Sequence, residues 1–346
     1  MMFRPARSFP LRFAQRGAEV LPGLALTVPI AIAATLIGAA VPVLGSALPA
    51  IAIGVAAAVI RRPGARFQPG VEYSGKFLLQ VAVVLLGAQL SLDAILRVGA
   101  ESLPVMVSTL TVCLLGTGII GRALRVPQRL RTLIGVGTGI CGASAIAAVS
   151  PVIGALSAEV SYAVSTIFVF NILAVVLFPL LGHALGMDPH TFGLLAGTAV
   201  NDTSSVVAAA GVFGAAALGY AVVVKLVRTL MIIPISIGLS VIESRRSADG
   251  RRMTLRGAVG LVPWFLVGFL VVAVIGSLGV IPPGPREAMV HASGFLIATA
   301  MAGIGLSTDV AALRRAGWRP LVLGAILWIL VTATALAVIA LTGFGR

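Results

Sequence analysis

The sequence predicts an all-α polytopic membrane protein of about eleven transmembrane helices, with inverted repeats and two interrupted helices. Three observations carry this. Of 346 residues, 59% are hydrophobic and only 10% charged, against about 25% charged in an average soluble domain. The apolar residues fall into runs of about 20, the length that crosses a bilayer core. Lys and Arg collect in every second loop between those runs, the mark of a chain threaded back and forth through a membrane.

Taken in order, the runs cover roughly 20–41, 43–60, 72–91, 101–121, 132–152, 160–183, 191–213, 217–241, 258–280, 287–306 and 318–343. Residues 1–19 precede them and carry Arg4, Arg7, Arg12 and Arg16. This start resembles that of a signal peptide, but no small-residue cleavage site follows, so it reads as a retained cytoplasmic tail. Residues 20–346 then form a single transmembrane domain. The tail and the even-numbered loops hold 20 of the 25 Lys and Arg, among them Arg61, Arg62, Arg66, Lys76, Arg122, Arg125, Arg129, Arg131, Arg245, Arg246, Arg251, Arg252, Arg256, Arg314, Arg315 and Arg319. The opposite side holds only Arg97, Arg286 and Arg346. That asymmetry places the amino terminus inside and the carboxyl terminus outside. The net charge of +14 is therefore topology and not a nucleic-acid footprint. Cys113 and Cys141 both fall inside apolar runs without metal-type spacing, and no disulfide is expected between them.

Gly87-Ala-Gln-Leu-Ser-Leu-Asp93 followed by Pro104 matches Gly303-Ile-Gly-Leu-Ser-Thr-Asp309 followed by Pro320 at one constant offset. The matched segments, within about 72–121 and 287–343, end the third and tenth runs and so point in opposite directions, the signature of an inverted repeat. A second similarity pairs Gly137-Thr138 with Gly197-Thr198 and Ser144 with Ser204. These lie in the fifth and seventh runs, which would cross in the same direction. A permuted repeat, a re-entrant stretch and shared Gly/Thr/Ser composition each account for that.

The chemistry concentrates in those two runs. Asn201, Asp202, Thr203, Ser204 and Ser205 place a carboxylate, an amide and three hydroxyls at the middle of an apolar run, where a charge is tolerated only against protein or water. Thr138, Gly139, Cys141, Gly142 and Ser144 form the matching stretch of the fifth run. A helix opened there leaves free amide groups and a positive dipole end that suit an anion, and glycine lets backbone approach a ligand closely. Asp202 reads either as a coupling-ion ligand or proton carrier, with a sodium site near Asn201 and Asp202, or as a capping or salt-bridged carboxylate that holds the break in place. Lys225 and Arg228, spaced i and i+3 in the eighth run, share a helix face. They read either as charges that neutralise an anion, or as an Arg228 that snorkels or pairs with Asp202 and a Lys225 that sits nearer the outer surface. Asn171 and Glu159 read as structural hydrogen-bonding residues. No His/Cys/Glu spacing suits a metal, no nucleotide or nucleophile motif occurs, and neither an enzyme nor a cofactor is expected.

The runs Gly137-Thr-Gly-Ile-Cys-Gly-Ala-Ser-Ala-Ile146, Gly197-Thr-Ala-Val-Asn-Asp-Thr-Ser-Ser-Val-Val-Ala-Ala209 and Lys225-Leu-Val-Arg-Thr229 resemble the YeiH family of bacterial inner-membrane proteins, named as sulfate exporters. The repeat ending in Pro104 and Pro320 is also similar, more distantly, to bile-acid/sodium symporter-type folds. The resemblance implies a secondary transporter that exports sulfate or a similar small anion by alternating access. The readings beside it are a sodium- or proton-coupled carrier of an organic anion, and a membrane receptor or scaffold. The partners implied are a small anionic substrate, a coupling ion and the lipid bilayer; a homo-oligomer is compatible with the sequence.

Overall fold

The structure, a computed structural model, describes residues 17–40, 46–246, 263–307 and 318–343. Most of the tail, Arg251, Arg252, Arg256, Asp309, Arg314, Arg315 and Arg346 lie outside the described residues. The described chain is helical throughout: α1 Gly17–Ala40, α2 Ala47–Ile60, α3 Gln68–Tyr73, α4 Leu79–Leu86, α5 Leu92–Ala123, α6 Gln128–Gly139, α7 Ala143–Val149 and α8 Ser157–Ala184. There follow α9 Pro189–Ala199, α10 Thr203–Phe213, α11 Ala215–Thr229, α12 Ile232–Arg246, α13 Trp264–Ser277, α14 Pro283–Leu306 and α15 Trp318–Thr342.

Seven described stretches are long and apolar enough to cross a membrane: Glu19–Ala40, Gln68–Gln89, Leu92–Ala123, Ala158–Ala184, Ala215–Glu243, Pro283–Leu306 and Trp318–Thr342. Pro49–Ile60, Thr203–Phe213 and Trp264–Ser277 are shorter apolar helices. The chain divides into two compact units, Met1–Leu86 with Pro282–Thr308, and Gly87–Ile281 with Asp309–Arg346.

The first unit packs α1, α2, α3, α4 and α14. One π turn, Ser74–Leu78, joins α3 to α4. Small residues let these backbones meet, as in lipid-embedded bundles: a Cβ on Gly70 would lie 2.1 Å from the Val20 carbonyl oxygen. Beside this crossing the buried hydroxyls of Thr27 and Ser74 satisfy one another at 2.9 Å.

The second unit contains α5–α13 and α15 and is organised by two breaks. α6 runs antiparallel to α5: a Cβ on Gly121 would meet the Arg131 side chain at 2.9 Å, and one on Gly135 would meet Thr117 Oγ1 at 2.3 Å. α6 stops at Gly139, and Gly142 takes φ 68°, ψ −132°, a backbone conformation for which glycine is suited. α7 then turns back along α6, so that a Cβ on Gly137 would lie 3.0 Å from Ile146 Cδ1. Further on, the Arg129 guanidinium reaches within 3.9 Å of the Cβ position of Gly154, which returns the chain to the end where α6 began.

α9 and α10 form a second hairpin of the same kind. Phe192, early in α9, and Phe213, at the end of α10, stack with ring centroids 3.9 Å apart; in one straight helix they would be separated by about 30 Å. α11 leaves from the base of this hairpin and runs parallel to α9. The register shows it: a Cβ on Gly193 would meet the Ala217 carbonyl at 3.0 Å, and one on Gly197 would meet Val224 Cβ at 2.7 Å. Each arm of 11 or 12 residues in α6, α9 and α10 is about 17 Å long, half a bilayer core.

The 28 residues of α8 connect the two hairpins, a rise of about 42 Å. Its start follows the base of the first hairpin, and at its other end Gly182 packs against Phe192 and Phe213 at the base of the second. The hairpins therefore enter from opposite ends of α8, and their tips touch beside its middle. There, a Cβ on Gly142 would lie 3.1 Å from Asp202 Cβ, and Asn171 Oδ1 accepts from the Asp202 backbone N–H at 3.2 Å.

Of the alternatives the sequence leaves open for the fifth and seventh runs, this geometry is that of stretches that turn back on themselves and not of interrupted helices that continue in one direction. Both fold back, because Ile140–Gly142 and Val200–Asp202 leave helical geometry in a tight turn and not in a collinear break. The charge tally is blind to the difference: the loops that change sides, 153–159 and 184–190, contain no Lys or Arg.

The proposed repeat also differs locally between its copies. Ser91 Oγ caps α5 by accepting from Ala94 N–H at 3.1 Å, whereas Ser307 Oγ donates to the Gly303 carbonyl at 2.9 Å.

Candidate functional site

A helix that ends inside a protein leaves its last carbonyls without partners, and each needs one. At the tip of the first hairpin every carbonyl from Val136 to Ile140 has its donor. The Val136 carbonyl accepts from Ile140 N–H at 3.0 Å and the Gly137 carbonyl from Gly142 N–H at 2.9 Å. Side chains of α11 supply the rest. Arg228 donates from Nε to the Gly139 carbonyl at 2.7 Å and from Nη2 to the Thr138 carbonyl at 3.2 Å. Lys225 Nζ donates to the Ile140 carbonyl at 3.0 Å and, from the second hairpin, to the Val200 carbonyl at 2.8 Å. One ammonium thus joins the two tips.

Lys225 and Arg228 are completely buried. Arg228 neither snorkels nor pairs with Asp202, and Lys225 does not sit nearer the surface, since both are fully buried and no ion pair joins Asp202 to either cation. Their i and i+3 spacing instead presents both heads to the C-terminal ends of two half-helices, whose dipoles are negative there.

On the other side of each break the sequence-selected residues open outward. Asp202, extended at φ −103°, ψ 148°, is the N-cap of α10. Its carboxylate accepts from the Ser204 backbone N–H at 3.0 Å and from the Ser204 hydroxyl, so the capping reading describes what it does locally. Asp202, Thr203 and Ser204 are partly exposed, Ser144 is exposed, and Ser205, Cys141, Gly142 and Gly139 are buried. Cys113 and Cys141 are free thiols. Among the described residues no group of three or more His, Cys, Asp or Glu could hold a metal ion.

Four polar atoms at the tips are buried and have no hydrogen-bond partner: Thr138 Oγ1, both amide atoms of Asn201, and Arg228 Nη1. Buried polar atoms are normally satisfied. These four atoms belong to three residues, one in each hairpin and one in α11.

Two contributors were outside the sequence selection as ligating groups. The carbonyls of Ile140 and Val200 carry apolar side chains that give no signal. Asn171 was read as a helix-to-helix hydrogen bond, and its role is of that kind: it holds the Asp202 backbone to α8. Glu159 is likewise structural, accepting from Leu156 N–H at 2.8 Å to cap α8. Near the outer base of the second hairpin Tyr220 Oη donates to Glu101 Oε2 at 3.1 Å, a pair not anticipated from sequence.

A family profile described as Conserved hypothetical protein 698 matches residues 22–324. A UPF0324 membrane protein of Streptococcus agalactiae is 39% identical over 330 residues, covering 94% of this chain and 98% of its own. One from Fusobacterium nucleatum is 37% identical over 334 residues, covering 91% and 96%. One from Streptococcus mutans is 39% identical over 338 residues, covering 94% and 98%.

Proposed function

The chain belongs to the Conserved hypothetical protein 698 family and is a membrane protein, and from that premise we propose that it is a secondary transporter for a small oxyanion. Sulfate export across the bacterial inner membrane by alternating access is the form that the residue motifs favour. The substrate sits where the two hairpin tips meet, among Thr138, Asn201 and Arg228, with Gly142 and Asp202 at their contact.

The observation that carries this reading is the group of buried, unpartnered polar atoms on Thr138, Asn201 and Arg228. Electrostatics supports an anion. Each helix end contributes roughly half an elementary charge. The negative ends of α6 and α9 and the positive ends of α7 and α10 offset one another. The formal charges of Lys225, Arg228 and Asp202 then leave roughly one positive charge at the tips.

In this reading α2 and α13 cross the membrane with the seven long stretches, and the hairpins are re-entrant from opposite faces. The amino terminus is cytoplasmic and the carboxyl terminus periplasmic. The hairpin with its following helix, α6–α8, is related by inversion to α9–α11, which places Gly137-Thr138 and Gly197-Thr198 at equivalent depths. Inverted pairs of this kind permit a site to face each side in turn.

The test is labelled-sulfate counterflow in proteoliposomes of the purified protein, with thiosulfate, phosphate and bicarbonate as competitors. Protein-dependent exchange is expected. Exchange of an organic anion alone would favour the ion-coupled carrier in which Asp202 is the coupling group. Absence of exchange for every anion and gradient would leave a receptor or scaffold.

A further inference from the structure

In carriers built from discontinuous helices, the free carbonyls at half-helix C-terminal ends are where coupling cations bind. In this chain those carbonyls already face cationic groups that belong to the protein. Arg228 takes Thr138 and Gly139, and Lys225 takes Ile140 and Val200, all between 2.7 and 3.2 Å. Both side chains are 0% exposed. We propose that Lys225 and Arg228 are tethered replacements for coupling cations, so that the site works without sodium or potassium, with Lys225 as the group that excludes a free ion.

The geometry of Lys225 separates this from ordinary helix capping. A cap serves one helix end, whereas Nζ bridges two hairpins that enter from opposite ends of α8, at 3.0 Å and 2.8 Å. An ammonium is a compact point charge with three donors, and among the described residues no ion pair with a carboxylate answers it. Asp202, the nearest acid of the tips, is committed to Ser204. The charge of Lys225 is thus met by backbone carbonyl dipoles, as a bound alkali ion's would be. A free cation would have to share those carbonyls with two fixed positive charges.

The thermal part of the inference stands without the carrier reading; only its transport part rests on that reading. The unfolding midpoint of the purified full-length protein is measured in sodium, potassium and choline chloride at matched ionic strength. The native protein is expected to give the same midpoint in all three. Lys225→Ala is expected to unfold lower than native in choline and to recover as sodium rises, because a free ion can then enter between Ile140 and Val200. A native midpoint that climbs with sodium, or a Lys225→Ala variant indifferent to it, overturns the inference. Should Lys225→Ala not fold, Lys225→Gln replaces it in the same measurement; if neither folds, the salt series on the native protein decides. In proteoliposomes, sulfate counterflow is expected to run equally in sodium and choline, and a rate that falls without sodium overturns the inference. No flux in either salt would refute the carrier and leave the thermal measurements to decide this inference.

Discussion

Asp202 does two things at one atom: its carboxylate caps α10 through Ser204, and its charge stands at the contact of the hairpin tips. Asparagine caps a helix about as well as aspartate. Asp202→Asn is therefore expected to keep the native unfolding midpoint while changing the pH dependence of anion exchange. Asp202→Ala should lose about 0.5–2 kcal/mol in addition. If the two variants lose stability alike, the cap is not what holds this turn. Arg228 is the structural counterpart. Replacing it with leucine orphans the Thr138 and Gly139 carbonyls, at about 1–3 kcal/mol each. Arg228→Lys keeps the charge and loses the fork that reaches two carbonyls at once, so it should recover only part of the midpoint in a thermal melt. Polarity at positions 201–205 and the i, i+3 cations were legible in the sequence. The partners of the cations were not, because they are backbone oxygens of Thr138, Gly139, Ile140 and Val200, which any side chain would provide.

At the scale of elements, the second hairpin depends on how α9 begins. Asp188 is its N-cap, accepting from His190 N–H at 2.8 Å and Thr191 N–H at 3.2 Å, with the Thr191 hydroxyl donating as well. Burial alone would raise the Asp188 carboxyl, but the hydrogen bonds from Thr191 and His190 outweigh it and hold the group below its ordinary value of 3.8. A depressed value in the folded state means that this contribution is complete above 3.8 and disappears as pH falls through the lower folded value. Asp188→Ala is thus expected to be less stable than native by about 0.5–2 kcal/mol at neutral pH. In denaturant titrations the gap should close in strong acid; a gap that persists there would assign the loss to packing and not to the charged cap. The sequence expectations include neither the Asp188 cap nor the return of α10 onto α9. It is made by Phe192 against Phe213 and by Gly193 and Gly197 against α11, contacts between residues whose separation no local pattern encodes.

At the scale of the whole molecule, the two arrangements of the central runs make opposite predictions. With hairpins, the loop at Leu156 shares a side with Arg129, and the loop at Leu185 lies on the other. With two crossing spans, both assignments reverse. Leu156 and Leu185 are exposed, and the native Cys113 and Cys141 are buried, so single cysteines can be read against a quiet background. Leu156→Cys is expected to react with a membrane-impermeant maleimide only from the cytoplasmic side, and Leu185→Cys only from the periplasmic side. The reverse pattern would restore the crossing spans. Ser91 and Ser307 teach a related lesson, since the sequence match that pairs them does not give them the same hydrogen bond.

The sequence by itself determined that this chain is helical, that it lives in lipid, and that its chemistry gathers near residues 138–144, 201–205 and 225–228. Composition, run length and charged loops are sums along the chain, and sums survive without coordinates. Only the tertiary structure decided that two of the runs turn back on themselves and that their tips meet over Lys225. A half-span and a full span have the same apolar composition, and the loops whose side depends on the choice carry no Lys or Arg.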